Sequence, residues 1–279
     1  MNGRKKRNKI VWLILTLSIF VIVVARYRLW EIRRTYQEGD DSYKTLAGLV
    51  RVAGSSVFHT PEMPGGSDTQ GEKQQPQAEV EIPNMEIDFA IMKAVNPDAA
   101  AWIYCPDTPV DYPIVWAGEY DYYIDHLPDG TYNAYGTLFI DYHNAPDFTD
   151  KLTVVYGHNM KTEKMFGTLM KYKEQSYFAE HPYLYLYTER GNCRIDLLYG
   201  CVIGEGQWSE RAFMDKANVE SLLTYAASNT TFTSDVEYIK ENRVIALSTC
   251  SSEFDDARYV VIGLLRPEYG DDLSTERKE

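Results

Sequence analysis

Arg243-Val-Ile-Ala-Leu-Ser-Thr-Cys250 and Arg258-Tyr-Val-Val-Ile-Gly-Leu-Leu265 decide the fold. Both are apolar runs rich in β-branched residues, and only the polar stretch Ser251-Ser-Glu-Phe-Asp-Asp256 and one alanine separate them. They read as two strands joined by a short loop, with a thiol and a guanidinium meeting at one sheet end. Upstream, Leu152-Thr-Val-Val-Tyr-Gly-His-Asn-Met160 repeats the arrangement with an imidazole at the end of the run. Period-two geometry puts His158 on the side of Leu152, Val154 and Tyr156, and Cys250 on the side of Val244, Ala246 and Ser248. Three strand ends thus offer a base, a nucleophile and a cation. Thiol chemistry needs that trio, because a free cysteine is only slightly ionised at neutral pH and acyl transfer needs a donor where charge develops on the carbonyl oxygen.

Further along the chain, strand patterns recur at 101–105, 110–116, 136–141, 152–158, 183–188 and 193–203, and the opening pair adds 243–250 and 258–265. Eight short strands punctuated by Asp, Gly, Pro and Asn predict a mainly β domain, a sandwich or a closed barrel, of a size that supports one core. Val219, Leu222, Leu223 and Ala226 fall at helical spacing between the last two pairs of strands, and Met165, Phe166, Leu169 and Met170 make a shorter stripe after His158. A helical pattern over 87–95 stops at Asn96-Pro97.

The N-terminus predicts a membrane anchor. Arg4-Lys-Lys-Arg-Asn-Lys9 precedes the uncharged apolar run that starts at Ile10 and ends at Ala25. As a helix that run spans about 24 Å against a hydrocarbon core of about 30 Å, so Arg26, Arg28 and Trp30 must help by snorkelling and interfacial anchoring. No small-residue cleavage site follows, which favours an uncleaved single-pass anchor; the domain after it is expected outside the cell, mainly because its cysteine chemistry calls for an extracellular substrate. The expected division is a basic cytoplasmic tail at 1–9, the anchor at 10–30, a helical and flexible stalk at 31–84, a catalytic domain at 85–268 and a polar tail at 269–279. Thr60 to Pro76 is the stretch least able to offset its chain entropy by burial.

The first 34 residues hold nine Lys or Arg and one Glu, so the net charge of −13 becomes −21 over the remainder. So acidic an ectodomain is unsuited to phosphate backbones, which argues against nucleic acid as a partner. Cys193 and Cys201 share one strand pattern, and eight residues of strand span about 26 Å, beyond the roughly 7 Å that a disulfide tolerates. Cys105 has no matched role. No Cys or His spacing suits a metal, and no cofactor is expected. His59, His126, His143 and His181 are read as structural or solvated.

Tyr156-Gly-His-Asn-Met160, Leu247-Ser-Thr-Cys250 and Arg258 before a final strand resemble the histidine, cysteine and arginine motifs of sortases. Trp102-Ile-Tyr104, Val110-Asp-Tyr-Pro-Ile-Val115, Gly136-Thr-Leu-Phe-Ile-Asp-Tyr142 and His181-Pro-Tyr-Leu-Tyr-Leu-Tyr187 are similar to class B sortases in particular. The resemblance implies a closed eight-stranded sortase barrel with peripheral helices and a membrane-anchored cysteine transpeptidase of a Gram-positive cell surface. It implies Cys250 as nucleophile, His158 as general acid or base, and Arg258 as stabiliser of substrate and oxyanion, with Ser248, Thr249 and Tyr156 lining the substrate groove. Partners implied are secreted proteins bearing a sorting signal and an amine, from a peptidoglycan precursor or a pilin lysine. Ser252 departs from the aromatic that class B enzymes often carry there. A surface thiol peptidase or amidase, passing the acyl group to water, is the alternative; a tethered module whose Cys, His and Arg are structural is a third reading.

Overall fold

The computed structural model describes residues 2–52, 83–119, 121–213 and 219–268. The stretch Thr60 to Pro76, expected as a flexible stalk, and the expected tail at 269–279 lie outside the described residues.

The first element, α1 (Asn2–Val50), is a single uninterrupted helix of 49 residues, about 70 Å long. It is apolar and long enough to cross a membrane, and the apolar stretch is unburied by the rest of the protein. Its last turns are packed. Tyr43, Leu46 and Val50 are buried, the Tyr135 hydroxyl donates to Asp40 at 2.7 Å, and Asn133 donates to the Thr35 carbonyl at 3.1 Å. Two short strands, β1 (Arg51–Val52) and β2 (Glu86–Ile87), pair antiparallel directly after it. Val52 and Glu86 are therefore neighbours, although 33 residues separate them in the chain. Asp88 then caps α2 (Phe89–Val95) by accepting from the Ile91 N–H at 2.9 Å.

Eight strands follow: β3 (Ala99–Tyr104), β4 (Asp111–Val115), β5 (Leu138–Ile140), β6 (Leu152–Tyr156), β7 (Tyr183–Thr188), β8 (Gly191–Gly204), β9 (Val244–Cys250) and β10 (Ala257–Pro267). They close into a barrel in the order β10-β8-β7-β3-β4-β5-β6-β9, the architecture expected. Two contacts are parallel, β4 with β5 and β6 with β9; the others are antiparallel. Closure leaves no open sheet edge.

Alternation divides each strand between two cores. Val155, Ile245, Leu247, Tyr259 and Val261 belong to the cluster inside the barrel. Val154, Tyr156, Ala246, Val260 and Ile262 face outward and are covered by Val219, by Leu222, Leu223 and Ala226 of α5 (Glu220–Asn229), and by Trp208 of α4 (Glu205–Phe213). The predicted amphipathic stripe at 219–226 is thus the lid of the outer layer. Of the second stripe, Met165, Phe166 and Leu169 are buried and Met170 packs half-buried against the inner core; all but Met165 lie on a 3-10 helix over Phe166–Lys173. That helix leads into α3 (Gln175–Glu180). A third cluster joins Leu46 and Val50 of α1 to Met92, Trp102 and Tyr187.

Candidate active site

The outer rows of β6, β9 and β10 run to one end of the barrel, and the residues singled out by their order in the sequence sit there. Arg258 lies directly opposite Cys250 in the β9–β10 ladder, and opposed residues of an antiparallel pair carry their Cβ atoms about 4.5–5.5 Å apart on one face. On the other side of β9, β6 runs parallel with Tyr156 beside Ser248. The chain leaving β6 must then pass the end of β9, and it is fastened there by three hydrogen bonds. The Gly157 N–H donates to the Ser248 carbonyl at 3.1 Å. Thr249 Oγ1 donates to the Gly157 carbonyl at 2.7 Å. Asn159 Nδ2 donates to the Cys250 carbonyl at 2.8 Å. Each of the last three residues of β9 holds one bond to the segment carrying His158.

Glycine at 157 is what lets the chain pass so closely, since a Cβ there would collide with Leu138 and meet the Phe166 ring at 2.8 Å. His158 is oriented by a second glycine. Its Nε2 lies 2.5 Å from the Ile124 carbonyl; a carbonyl only accepts, so Nε2 carries the proton. Nδ1 has no hydrogen-bond partner among the described residues. Gly136, at φ +63°, backs this arrangement: a Cβ on it would strike the Ile124 carbonyl and come within 3.0 Å of His158 Cδ2. The Tyr43 hydroxyl of α1 in turn donates to the Gly136 carbonyl.

Cys250 is exposed, whereas Cys105, Cys193 and Cys201 are buried and unbridged. Cys193 and Cys201 lie on the single strand β8, as expected for residues that cannot pair. Burial pushes all three thiols up, that of Cys201 to about 12. The Arg258 guanidinium lies over the Tyr156 ring at 5.3 Å and pairs through Nε with Glu205. A fixed cation beside an exposed thiol and an oriented imidazole can hold a nucleophile, a proton carrier and an anion binder around one carbonyl.

The three residues expected along the groove are placed differently from Cys250. Ser248, Thr249 and Tyr156 are all buried. Thr249, on the inward row, spends its hydroxyl on Gly157, while Ser248 Oγ is a buried hydroxyl without a hydrogen-bond partner. Tyr156 accepts from the Trp208 indole at 3.2 Å. Ser252 is exposed in the loop after the cysteine. Sequence reasoning assigned nothing to Asn159, although it adjoins His158 within the quoted motif. It also missed Ile124 and Glu205, which no local pattern marks because other elements carry them to the site.

No family model matches the chain. Sortase B of Listeria monocytogenes is 31% identical over 178 residues, covering 62% of this chain and 72% of that protein. Among solved structures, Clostridium perfringens sortase B is 28% identical with a TM-score of 0.58, over 62% of this chain and 97% of that one. A Staphylococcus aureus sortase B–substrate complex, 21% identical with a TM-score of 0.59 over 64% and 85% of the two chains, shares the fold.

Proposed function

The chain belongs to the class B sortases and is a cysteine transpeptidase, and from that premise we propose that it cleaves the C-terminal sorting signal of secreted proteins at Cys250 and passes them to a cell-wall amine. The observation that carries the reading is the fastening of Gly157 and Asn159 to the last three residues of β9, with Arg258 facing the cysteine across the ladder.

In the proposed course, Cys250 gives its thiol proton to His158 and its Sγ attacks the threonyl carbonyl carbon of the signal. The S–C bond forms while charge gathers on the carbonyl oxygen, and the Arg258 guanidinium stabilises it. The C–N bond then breaks, and His158 delivers a proton to the departing amine. An acceptor amine, from a peptidoglycan precursor or a pilin lysine, attacks the thioester carbon; its C–N bond forms, the C–S bond breaks, and the amine's proton returns through His158 to the released sulfur. Tyr156 would support the guanidinium from beneath, and Ser248 would become available to substrate only where the cover over it opens. The apolar part of α1 would hold the enzyme in the membrane, with the barrel on the outer side.

Intact-mass analysis with NPQTN-type and PPxTG-type peptides and an added amine tests this. A thioacyl adduct on the unaltered chain and a ligated product are expected. Cys250→Ala should form no adduct while melting at the temperature of the unaltered chain; an adduct that survives this change would end the nucleophile assignment. Product released only as free acid, with amine in excess, would favour the peptidase reading instead.

A further inference from the structure

α4 follows directly on the end of β8, and two of its residues converge on one side chain. Glu205, its first residue, accepts from Arg258 Nε. The Glu205 backbone N–H donates to the Asp256 carbonyl at 3.0 Å, so the carboxylate rides on backbone tied to the loop between Cys250 and Arg258. One turn on, Trp208 is fully buried, and its indole N–H donates to the Tyr156 hydroxyl at 3.2 Å. The ring of that same Tyr156 underlies the Arg258 guanidinium. Residues three apart share a helix face, so a single face of α4 fixes Arg258 twice: at Nε through a carboxylate, and over its plane through an aromatic ring that a buried indole holds in place.

An arginine that binds a developing oxyanion must present N–H groups at one fixed point in space, and its long side chain otherwise gives up rotamer freedom on doing so. Holding Nε fixes the plane in which the two terminal nitrogens lie. The Arg258 side chain is only 18% exposed and that of Glu205 36%, which sets the pair apart from a solvated surface bridge.

We propose that Glu205 and Trp208 are positioning residues for transpeptidation, orienting Arg258 toward the carbonyl oxygen before substrate arrives. The inference rests on the reading of Arg258 as the anion binder. Its test is steady-state turnover by the full chain in detergent, with whichever NPQTN-type or PPxTG-type quenched peptide is the faster substrate and an added amine. The variants are Glu205→Gln, Trp208→Phe, Arg258→Ala and Glu205→Gln combined with Arg258→Ala, each with its melting temperature.

Glu205→Gln is expected to lower kcat about tenfold with KM within about twofold, the pattern of support lost only in the transition state. Trp208→Phe should lower kcat by about threefold, and Glu205→Gln should cost nothing further once Arg258 is alanine. If Trp208→Phe melts early, Glu205→Gln carries the test alone. An unchanged kcat for Glu205→Gln would overturn the inference. So would a rise in KM alone, which marks a substrate contact, a gain in kcat, which marks an inhibitory latch, or an equal loss in the Arg258→Ala background, which marks general packing. Full turnover by Arg258→Ala itself would overturn the parent reading, and this inference with it.

Discussion

Cys250 and Cys201 show how far burial separates two copies of one side chain. Cys201 lies on the outward row of β8, under α5, with its thiol pushed up to about 12, so at pH 8 about one molecule in ten thousand carries the thiolate there. Cys250 ends its strand in the open. Iodoacetamide at pH 8 is therefore expected to modify Cys250 alone in the folded protein and all four cysteines in denaturant, as read by peptide mass mapping. Modification of Cys201 in the folded protein at a rate comparable with Cys250 would contradict the packing of the outer core. At this scale Cys250, His158 and Arg258 were legible because each closes or opens an apolar run. Glu205 was not: it stands 53 residues from its ion-pair partner, and nothing in its own neighbourhood distinguishes it from a solvated carboxylate.

Elements determine the site through the crossing of strand ends. β6 and β9 are parallel neighbours, so their C-terminal ends fall on the same rim of the barrel, and the segments that leave them must share space. Gly136, ahead of β5, backs the imidazole at that rim. Alanine there would meet both a left-handed backbone conformation, worth about 1–2 kcal/mol of strain, and the Ile124 carbonyl that holds His158. Gly136→Ala is expected to lower kcat/KM by at least about tenfold, because a proton carrier displaced by a fraction of an ångström loses its alignment. Circular dichroism melts run beside turnover check it; full activity would show that the Ile124 contact does not govern His158. The strand pattern foresaw both strands here, but it extended β6 to residue 158, whereas the strand ends at Tyr156. Alternation cannot report that pairing stops at Tyr156, since Gly157 is held by Ser248 and Thr249 and hemmed in by Leu138 and Phe166, all distant in the chain.

For the whole molecule, α1 belongs to two environments. Its apolar stretch from Trp12 to Val24 is unburied by protein, and its last turns bury Tyr43, Leu46 and Val50 against the barrel and α2. Burying three such side chains is worth about 1.5–3 kcal/mol each, and about 1 kcal/mol moves the melting temperature of a domain of this size by roughly 2–4 °C. A fragment 85–279 should accordingly melt at least about 10 °C below a fragment 33–279. Differential scanning calorimetry of the two decides it, and equal melting temperatures would mean that the helix end rests on the barrel without supporting it. Tyr43, Leu46 and Val50 fall at i, i+3 and i+7, the spacing of a helix stripe, but most of the surrounding side chains at 31–50 face solvent, and nothing local tells that three residues of a polar stretch have the barrel to pack against.

The eight strands, the outer helix at 219–229, the apolar N-terminal run and the order of thiol, imidazole and guanidinium were determined by the sequence alone, because periodic burial and local chain stiffness leave their mark within a few neighbouring residues. Closure of the barrel decided the rest. Which strand ends meet, which glycine must yield space to His158, which hydroxyls are spent on backbone carbonyls and which carboxylate reaches Arg258 all depend on contacts between residues far apart in the chain. Such contacts come into being only when the sheet closes, and a linear pattern carries no record of them.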